Sequence, residues 1–369
     1  MGNKAYGQTL IFPEAWMKPW YETAPLFKED TLTIRIMGDI MMHSKQIENT
    51  SRNGGMSYDF SSFFQFIEDD IREADLAIGN MEFTLAGKPY CGYPSFSAPD
   101  GFETYLADCG FDIFLASNNH IYDKGETGAE RTLIKYRELK DKYGTVFTGL
   151  AGDSSEMEEQ MPLTLLRKGI RIALVNFTYG TNMGIGSQWP AIVRSSDRND
   201  IAAAIDKAQE NNADLIIALP HWGMEYQLKH SRSQEDLAKW LVEAGADMII
   251  GSHPHVIQDY QEINGIPVAY SLGNAVSNMS ATNTQLELMA TIRIVRRNNG
   301  DIDILPIDFT YLWCSLPGGY INSYTVIPVA DFIGTRESWQ GSWEYDKMVA
   351  TYHRVLKTSG IPDAGAKTE

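Results

Sequence analysis

The segment ADLIIALPH (residues 213–221) places an aspartate before a run of apolar residues that ends at a histidine. The same pattern occurs in ADLAIGN (74–80), FDIFLASN (111–118) and ADMIIGSH (246–253). Continuous apolar runs of this length are typical of strands that are covered on both faces, as in parallel sheets. Each run follows a stretch with helical spacing, and these stretches are 59–73, 100–109, 197–212 and 233–244. Alternating helices and strands indicate right-handed βαβ units, so the sequence predicts an α/β fold.

Three more apolar segments predict strands, at 32–38, 170–177 and 266–272. A polar cluster follows each of them, as it follows the four repeated segments. Open α/β sheets place their binding sites beyond the carboxyl ends of the strands. We therefore expect the polar clusters to meet at one edge of the fold.

The last third of the sequence has a different pattern. Residues 286–313 alternate between apolar and polar positions around Asn299-Gly300, a dipeptide that favours a tight hairpin. A further strand is expected at 320–329 and a helix at 343–357. No linker rich in proline or serine separates this part from the rest. We therefore predict that residues 286–330 pack onto the α/β part as a second sheet.

Composition and charge narrow the class of protein. The chain has 369 residues, of which 43% are hydrophobic and 21% are charged, as in ordinary globular proteins. The net charge of −17 argues against a nucleic-acid partner, and an anionic substrate would need a local cation such as a metal ion. The three cysteines have no C-x-x-C spacing, and we interpret them as packed free thiols.

The predicted organisation is a strap over residues 1–30, a single domain over 31–360 and a disordered tail over 361–369. No apolar run approaches the roughly 18 residues that a membrane span needs. The first residues also lack the pattern of a signal peptide. From the sequence alone we expect a soluble, cytoplasmic chain without a membrane segment.

Histidines gather at the expected edge of the fold, because five of the seven follow predicted strands: His43, His120, His221, His253 and His255. His253 and His255 are separated by one residue, and an extended backbone would direct both rings to the same side. One histidine at a strand end is most often a structural residue. Five with nearby carboxylates are costly to bury without a partner, so we interpret them as a polynuclear metal site. Nitrogen and oxygen donors without thiolate suit Mn²⁺, Fe or Zn²⁺.

Six motifs in a fixed order carry a resemblance to a known family. They are GDIMMH (38–43), NME (80–82), NNHIYDKG (118–125), HWGMEY (221–226), GSHPHV (251–256) and YSLGN (270–274). The series resembles the CapA-type family, associated with poly-γ-glutamate capsule synthesis, within the calcineurin-like metallophosphoesterase superfamily. The resemblance runs from about residue 32 to residue 280. It implies an α/β/β/α four-layer sandwich of two mixed sheets flanked by helices, so that residues 31–360 would be one metallophosphoesterase-like domain.

The resemblance also implies ligands for two divalent ions (Mn, Fe or Zn), which are Asp39, Glu82, Asn119, His221, His253 and His255. Asp39 and His255 would hold the first ion, Glu82 would bridge, and the other three would hold the second. Two departures from the superfamily leave the first ligand set open. The superfamily usually has Asp-x-His, whereas three residues separate Asp39 from His43 here. It also usually has aspartate at the bridging position.

His120 would be the general acid, or a positioned cation beside the leaving group, and Asp123 would orient its ring. Further candidates for substrate contact or for support of the ligands are His43, Asn80, Asn118, Glu225, Tyr270 and Asn274. Of these, His43 could be a metal ligand, a substrate contact or only a neighbour of the site. Glu225 is equally compatible with an exposed carboxylate at a helix start. Tyr270 and Asn274 are expected mainly to brace the ligand loop.

These features predict a dinuclear metal-dependent hydrolase that attacks a phosphoester or a γ-glutamyl amide, linked to poly-γ-glutamate or capsule metabolism. Its substrate would be a small molecule or a γ-glutamyl polymer. The alternative is a non-catalytic metal- or polymer-binding component of a synthesis or export complex. The presence of His120 favours the enzyme, because a binding module needs no proton donor. The resemblance points to the cell envelope, whereas the sequence itself indicates a cytoplasmic chain.

Overall fold

Two mixed β-sheets form the centre of this computed structural model, which describes residues 29–366. The strands are β1 (Asp30–Ile40), β2 (Ser51–Arg52), β3 (Ser57–Tyr58), β4 (Leu76–Met81), β5 (Ile113–Leu115), β6 (Val146–Thr148), β7 (Leu163–Arg167), β8 (Ile170–Thr178), β9 (Leu215–His221), β10 (Met248–Ile250), β11 (Tyr260–Ile263), β12 (Ile266–Ala269), β13 (Leu286–Arg296), β14 (Ile302–Ile304), β15 (Asp308–Ser315) and β16 (Thr325–Pro328). The first sheet has the order β16-β15-β13-β1-β4-β5-β6, with β14 paired to β13. The second has the order β11-β12-β10-β9-β8-β7.

Helices occupy the connections between the strands. They are α1 (Ser44–Thr50), α2 (Glu68–Glu73), α3 (Phe102–Asp108), α4 (Gly125–Tyr143), α5 (Ser154–Gln160), α6 (Arg198–Glu210), α7 (Arg232–Ala244), α8 (Val329–Phe332) and α9 (Ser342–Ser359), with a 3₁₀ turn at Arg336–Ser338. Within residues 29–366, no helix is both long and apolar enough to cross a membrane. The four segments with the repeated pattern contain β4, β5, β9 and β10. These strands pair in parallel with their neighbours in the two sheets.

The hydrophobic core has three layers, and they define the architecture. Ile34 and Ile78 of the first sheet and Ile172 and Ile217 of the second belong to one buried cluster between the sheets. Alternate residues of the same strands point away from it, and Ala77 joins a cluster that includes α3 and α4. The outer face of the second sheet packs on α6 and α7. Strands covered on both faces explain the continuous apolar runs, and the predicted α/β fold with two mixed sheets flanked by helices is confirmed.

The prediction that residues 286–330 form a second sheet is wrong. Strand β13 pairs antiparallel with β1, with Ile36 opposite Ala290, and β15 and β16 follow on the same side. This part therefore extends the first sheet. The physical reason is that β1 pairs with β4 along one edge only, and β13 covers the backbone groups that the other edge would expose. The expected hairpin is present, because Arg296 of β13 lies opposite Ile302 of β14.

Other segments differ from the predictions in detail. In the expected helix at 59–73 only Glu68–Glu73 is helical, because the preceding turns carry Phe60, Phe63 and Phe64 into an aromatic cluster. Helix α4 was not predicted. Residues 361–366, expected to begin a disordered tail, pack instead: Ile361 is buried and Asp363 accepts a hydrogen bond from the Tyr352 hydroxyl at 2.9 Å. The expected strap at 1–28 and the tail at 367–369 lie outside the described residues.

Candidate metal centre

Polar side chains from both sheets meet beyond the carboxyl ends of the parallel strands. Asp39 lies at the end of β1, Glu82 follows β4, His221 ends β9 and His253 follows β10. The residues of this centre have exposures of 3% or less: Asp39, Glu82, Asn119, His120, His221, His253 and His255. Residues that are far apart in the chain therefore form one buried cluster, to which both sheets contribute.

A bulge in β1 directs Asp39 into this centre. The register of β1 against β4 shifts between Met37 and Asp39, and bulges of this kind re-aim a side chain. Gly38 lies at the shift, where a Cβ atom would be only 2.0 Å from the carbonyl oxygen of Gly273. Glycine therefore allows the chain at Gly273 to cross closely, and that carbonyl accepts a hydrogen bond from the Asp39 N–H at 2.9 Å.

Glu82 lies at the middle of the cluster. Its Oε1 atom is 3.8 Å from the Nε2 atoms of His120, His221 and His255. Neither carboxylate oxygen has a hydrogen-bond partner among residues 29–366, although both are fully buried. An unpaired carboxylate in the interior costs several kcal/mol, so this position calls for a cation.

Two sets of side chains in the centre have the spacing that a metal ion needs. Asp39, Glu82 and His255 form one set, and Glu82, His221 and His253 form the other, with ligand atoms within 4.8 Å of one another in each. Glu82 is common to both. The donors are carboxylate oxygens and imidazole nitrogens, which suit Mn²⁺, Fe or Zn²⁺, and they fit a pair of divalent ions. The ligand assignments themselves stay predictions.

Amides hold the candidate ligands in place. Asn80 donates from Nδ2 to Asp39 Oδ1 at 2.7 Å, and the backbone N–H of His253 donates to the other oxygen of Asp39 at 3.1 Å. Asn274 Oδ1 lies 2.9 Å from His255 Nδ1, and its Nδ2 donates to the carbonyl of Thr284. This arrangement assigns the proton of His255 to Nδ1, which leaves Nε2 free to face Glu82.

The electrostatics of the centre follow from burial. Burial raises the pKa of Glu82 well above its ordinary value, and the charge of Asp39 raises it further. Burial lowers the pKa of His221 well below its ordinary value and that of His253 to about 3. Burial also opposes charge on His255, but the bond to Asp39 leaves its pKa raised. Neutral imidazoles bind metal ions, so two of these histidines are already in the binding form.

His120 lies beside the candidate ligands with a carboxylate behind it. Its Nδ1 is 2.7 Å from Asp123 Oδ2, and the same oxygen accepts a hydrogen bond from the Phe96 N–H at 2.7 Å. The Asp123 carboxylate is therefore fixed and orients the imidazole, whose Nε2 faces Glu82. This geometry can place a proton next to a group bound at the centre.

The family model "Bacterial capsule synthesis protein PGA_cap" matches residues 33–279 of the chain. The chain belongs to the PGA_cap family. The capsule biosynthesis protein CapA of Bacillus anthracis is 27% identical over 313 residues, which cover 81% of this chain and 73% of that protein. The PGA biosynthesis protein CapA of Bacillus subtilis is 27% identical over 290 residues, 76% of this chain and 73% of that protein. The NAD nucleotidase NadN of Haemophilus influenzae aligns at a TM-score of 0.44 and 13% identity, over 92% of this chain and 65% of its own.

The region that matches the PGA_cap model contains every predicted site residue, but the structure does not bring all of them to the centre. Tyr270 is buried between Trp222 and His230, and its hydroxyl accepts a hydrogen bond from Gln261, so its predicted role is limited to bracing the ligand loop and stays a prediction. Asn118 supports the loop after β5: its Nδ2 donates to the carbonyl of Met81.

Other predicted residues lie next to the centre. Asn119 Oδ1 is 2.8 Å from His221 Nε2, and its role as a ligand stays a prediction. The ring of His43 packs edge-on against Phe96 and lies outside both three-residue sets. Burial lowers the pKa of His43 to about 4. Glu225 is exposed, and its charge raises the pKa of the buried Glu82.

His253 and His255 converge by a different route from the expected one. Both residues have left-handed backbone conformations, with φ of +100° and +59°, and their ring centroids are 5.8 Å apart. A tight turn therefore directs both rings inward, in place of an extended strand. Such conformations cost of order 1–3 kcal/mol each for residues other than glycine and are concentrated at functional sites.

The sequence placed the segment NFTYGTN (176–182) at the edge of the sheet as a pocket wall, but two of its residues were not named individually as site residues. Asn182 lies with its Nδ2 3.3 Å and 3.4 Å from the two ring nitrogens of His120. The Tyr179 ring packs 4.6 Å from the ring of His253. Both residues belong to the polar segment that follows β8, and its position after a strand was the signal that could have identified them.

Proposed function

We propose that this chain is a hydrolase that depends on two divalent ions and cleaves a phosphoester or a γ-glutamyl amide. The supporting observation is the position of Glu82, a fully buried carboxylate without a hydrogen bond from the described chain and with three imidazole nitrogens 3.8 Å away. The two sets that share Glu82 would hold the ions, with Asn119 as an additional ligand. A pair of divalent ions, when bound, supplies Lewis acidity and offsets negative charge on the reacting group.

The residues of the chain would contribute proton transfer and orientation. His120 would give its Nε2 proton to the leaving group, since Nδ1 is committed to Asp123 at 2.7 Å. A general acid of this kind contributes about 10²–10⁴ in rate. Asn182, whose Nδ2 lies close to both ring nitrogens of His120, would limit the rotation of that ring. The buried walls around Glu82 would exclude bulk water and strengthen each of these interactions.

The centre suits both substrate classes. Cleavage of a phosphoester and cleavage of an amide each pass through an anionic group that needs the same stabilisation. Membership of a bacterial capsule synthesis family and the names of the CapA relatives favour a substrate linked to poly-γ-glutamate or capsule metabolism.

Elemental analysis of protein purified without chelators, combined with assays on phosphoester and γ-glutamyl substrates, tests the proposal. We expect about two ions per chain, a stoichiometry typical of dinuclear hydrolases, and turnover in one of the two series. His253→Ala should lose metal and turnover, whereas His120→Ala should keep the metal and lose turnover. His353→Ala is the matched control, since His353 is exposed on α9.

The same measurements separate the proposal from its alternative. Bound metal without turnover in either series, at high enzyme concentration, would favour a non-catalytic metal- or polymer-binding component. Protein that keeps no metal after purification without chelators, and binds none on titration, would contradict both the hydrolase and the non-catalytic alternative.

A further inference from the structure

Two half-exposed tyrosines lie against candidate ligands of the metal centre. The Tyr179 ring lies 4.6 Å from that of His253, and the Tyr226 ring lies 6.2 Å from that of His255. The two tyrosines are 44% and 45% exposed, although the histidines that they contact are buried. Each tyrosine ring therefore lies between a candidate ligand and solvent.

The backbone holds Tyr226 in place at a cost. Its φ is +66°, a left-handed conformation that is strained for tyrosine. Its N–H donates to the carbonyl of Pro254 at 2.8 Å, between His253 and His255. Strain in a residue with an exposed aromatic ring, attached directly to the ligand loop, indicates a functional position.

The charge at this opening is negative. Glu225 is exposed next to Tyr226, and after burial its charge is a cause of the raised pKa of Tyr226, which is about 12. It also contributes to the raised pKa of Tyr179, after burial and the charge of Glu82. In the described part of the chain, Glu225 forms no ion pair within 4 Å with lysine, arginine or histidine. We call Tyr179, Glu225 and Tyr226 the rim.

From this geometry we propose that the rim binds a positively charged amine of the substrate. Glu225 would be its counter-ion, and the faces of Tyr179 and Tyr226 would contact the cation. A negative carboxylate and tyrosine faces attract an ammonium group. The inference deepens the proposed hydrolase by naming a feature of its substrate.

Two kinds of substrate carry this chemistry. A γ-glutamyl chain presents a free α-ammonium group on its terminal residue, a few bonds from the first γ-amide. A phosphoester of an amino alcohol presents an ammonium group at a similar distance from phosphorus. The amine is common to both, and the assays below distinguish them.

Binding of choline and of its neutral isostere 3,3-dimethylbutanol to the metal-loaded protein, measured by calorimetry, tests the inference without requiring turnover. We expect choline to bind about tenfold more tightly, a ratio within the range of cation–π contacts. Glu225→Gln and Tyr226→Leu should each reduce this ratio several-fold. Glu243→Gln is the matched control, because Glu243 is exposed on α7, and it should leave the ratio unchanged.

Matched substrates identify the source of the amine. One pair is γ-glutamyl-p-nitroanilide and its N-acetyl derivative, and the other is p-nitrophenyl phosphorylcholine and its 3,3-dimethylbutyl isostere. A preference for the charged member in either pair, reduced by Glu225→Gln, supports the inference. If neither pair is hydrolysed, the proposed hydrolase activity is contradicted. The ratio of choline binding to isostere binding then tests the amine site by itself. Equal binding of choline and its isostere, or a ratio that Glu225→Gln does not change, would overturn the inference.

Discussion

Glu82 and Glu344 are both fully buried carboxylates, and their surroundings differ completely. Glu344, in the first turn of α9, accepts hydrogen bonds from Gln285 Nε2 at 2.9 Å, the Leu316 N–H at 2.8 Å and Ser315 Oγ at 2.7 Å. Within residues 29–366 no group donates to either oxygen of Glu82, which imidazole nitrogens surround. Glu344 therefore fastens α9 to the sheet, whereas Glu82 has the surroundings of a metal ligand.

The comparison shows what distinguishes a structural carboxylate from a candidate ligand. Burial is the leading cause of a raised pKa at both residues, so the direction of the shift does not distinguish them. The smaller contributions to the two pKa shifts do distinguish them. Hydrogen bonds oppose the shift at Glu344, whereas the charge of Asp39 adds to it at Glu82. A buried carboxylate that lacks donors and adds to a neighbouring negative charge needs a cation.

The largest expected effect is on the stability of the metal-free protein. Glu344→Ala should lower the free energy of unfolding by about 3 kcal/mol, because three buried donors lose their acceptor. Glu82→Gln should leave it unchanged or raise it, because it removes a carboxyl group whose ionisation burial and the charge of Asp39 oppose. Urea denaturation of chelator-treated protein measures both. An equal loss of stability in the two variants would remove the distinction between the carboxylates.

The effect of metal removal on stability should depend on Glu82 and not on Glu344. Wild-type protein at a free ion concentration of 100 times Kd should lose about 2.7 kcal/mol of stability when the ion is chelated. Glu344→Gln should keep this dependence, and Glu82→Gln should lose most of it. Thermal denaturation with and without a chelator makes the measurement. A chelator effect that survives in Glu82→Gln would place the ion elsewhere.

Support of the ligands should matter less than the ligands themselves. Asn274→Leu removes the acceptor of His255 Nδ1, and we expect metal affinity to fall by about 10–100-fold. Asn199→Leu is the control, since Asn199 is exposed on α6. Competition with a chromogenic chelator reports the affinity. Equal affinities in the two variants would show that Asn274 does not orient the ring.

Asp259 is a partly buried carboxylate with hydrogen-bond donors, and its substitution should change stability least. Burial opposes its charge, but hydrogen bonds from the His230 backbone and ring lower its pKa overall. A lowered carboxyl pKa stabilises the fold above the unfolded-state value, and this stability is lost as the pH falls through the folded-state value. Asp259→Asn should therefore reduce the acid-dependent loss of stability by about 1 kcal/mol or less. Urea denaturation between pH 3 and pH 6 tests this, and an unchanged pH dependence would contradict it.

The strands and the position of the site could be predicted because their signals are local. Each apolar run before Glu82, His221 or His253 marks a doubly covered strand, and the polar residue at its end marks the edge where the sheets place a site. Gly38 and Gly273 could be recognised as motif residues. Their close approach, which puts the Gly273 carbonyl against the Asp39 N–H, needed the structure.

The parts that were missed depend on long-range pairing or on local strain. Alternation over 286–313 identifies strands but not the edge that they cover, so the pairing of β13 with β1 was not predictable from it. No sequence signal marks the left-handed conformations of Tyr226, His253 and His255. Helix α4 did carry a signal, since Leu133, Tyr136 and Leu139 are spaced as one buried face.

Anomalous X-ray diffraction from crystals grown with Mn²⁺ or Zn²⁺ tests the central claim most directly. The account predicts two anomalous peaks beside Glu82, one near Asp39 and His255 and the other near His221 and His253. Crystals that show no peak within coordinating distance of Glu82, with both of its oxygens hydrogen-bonded to protein or water, would contradict it.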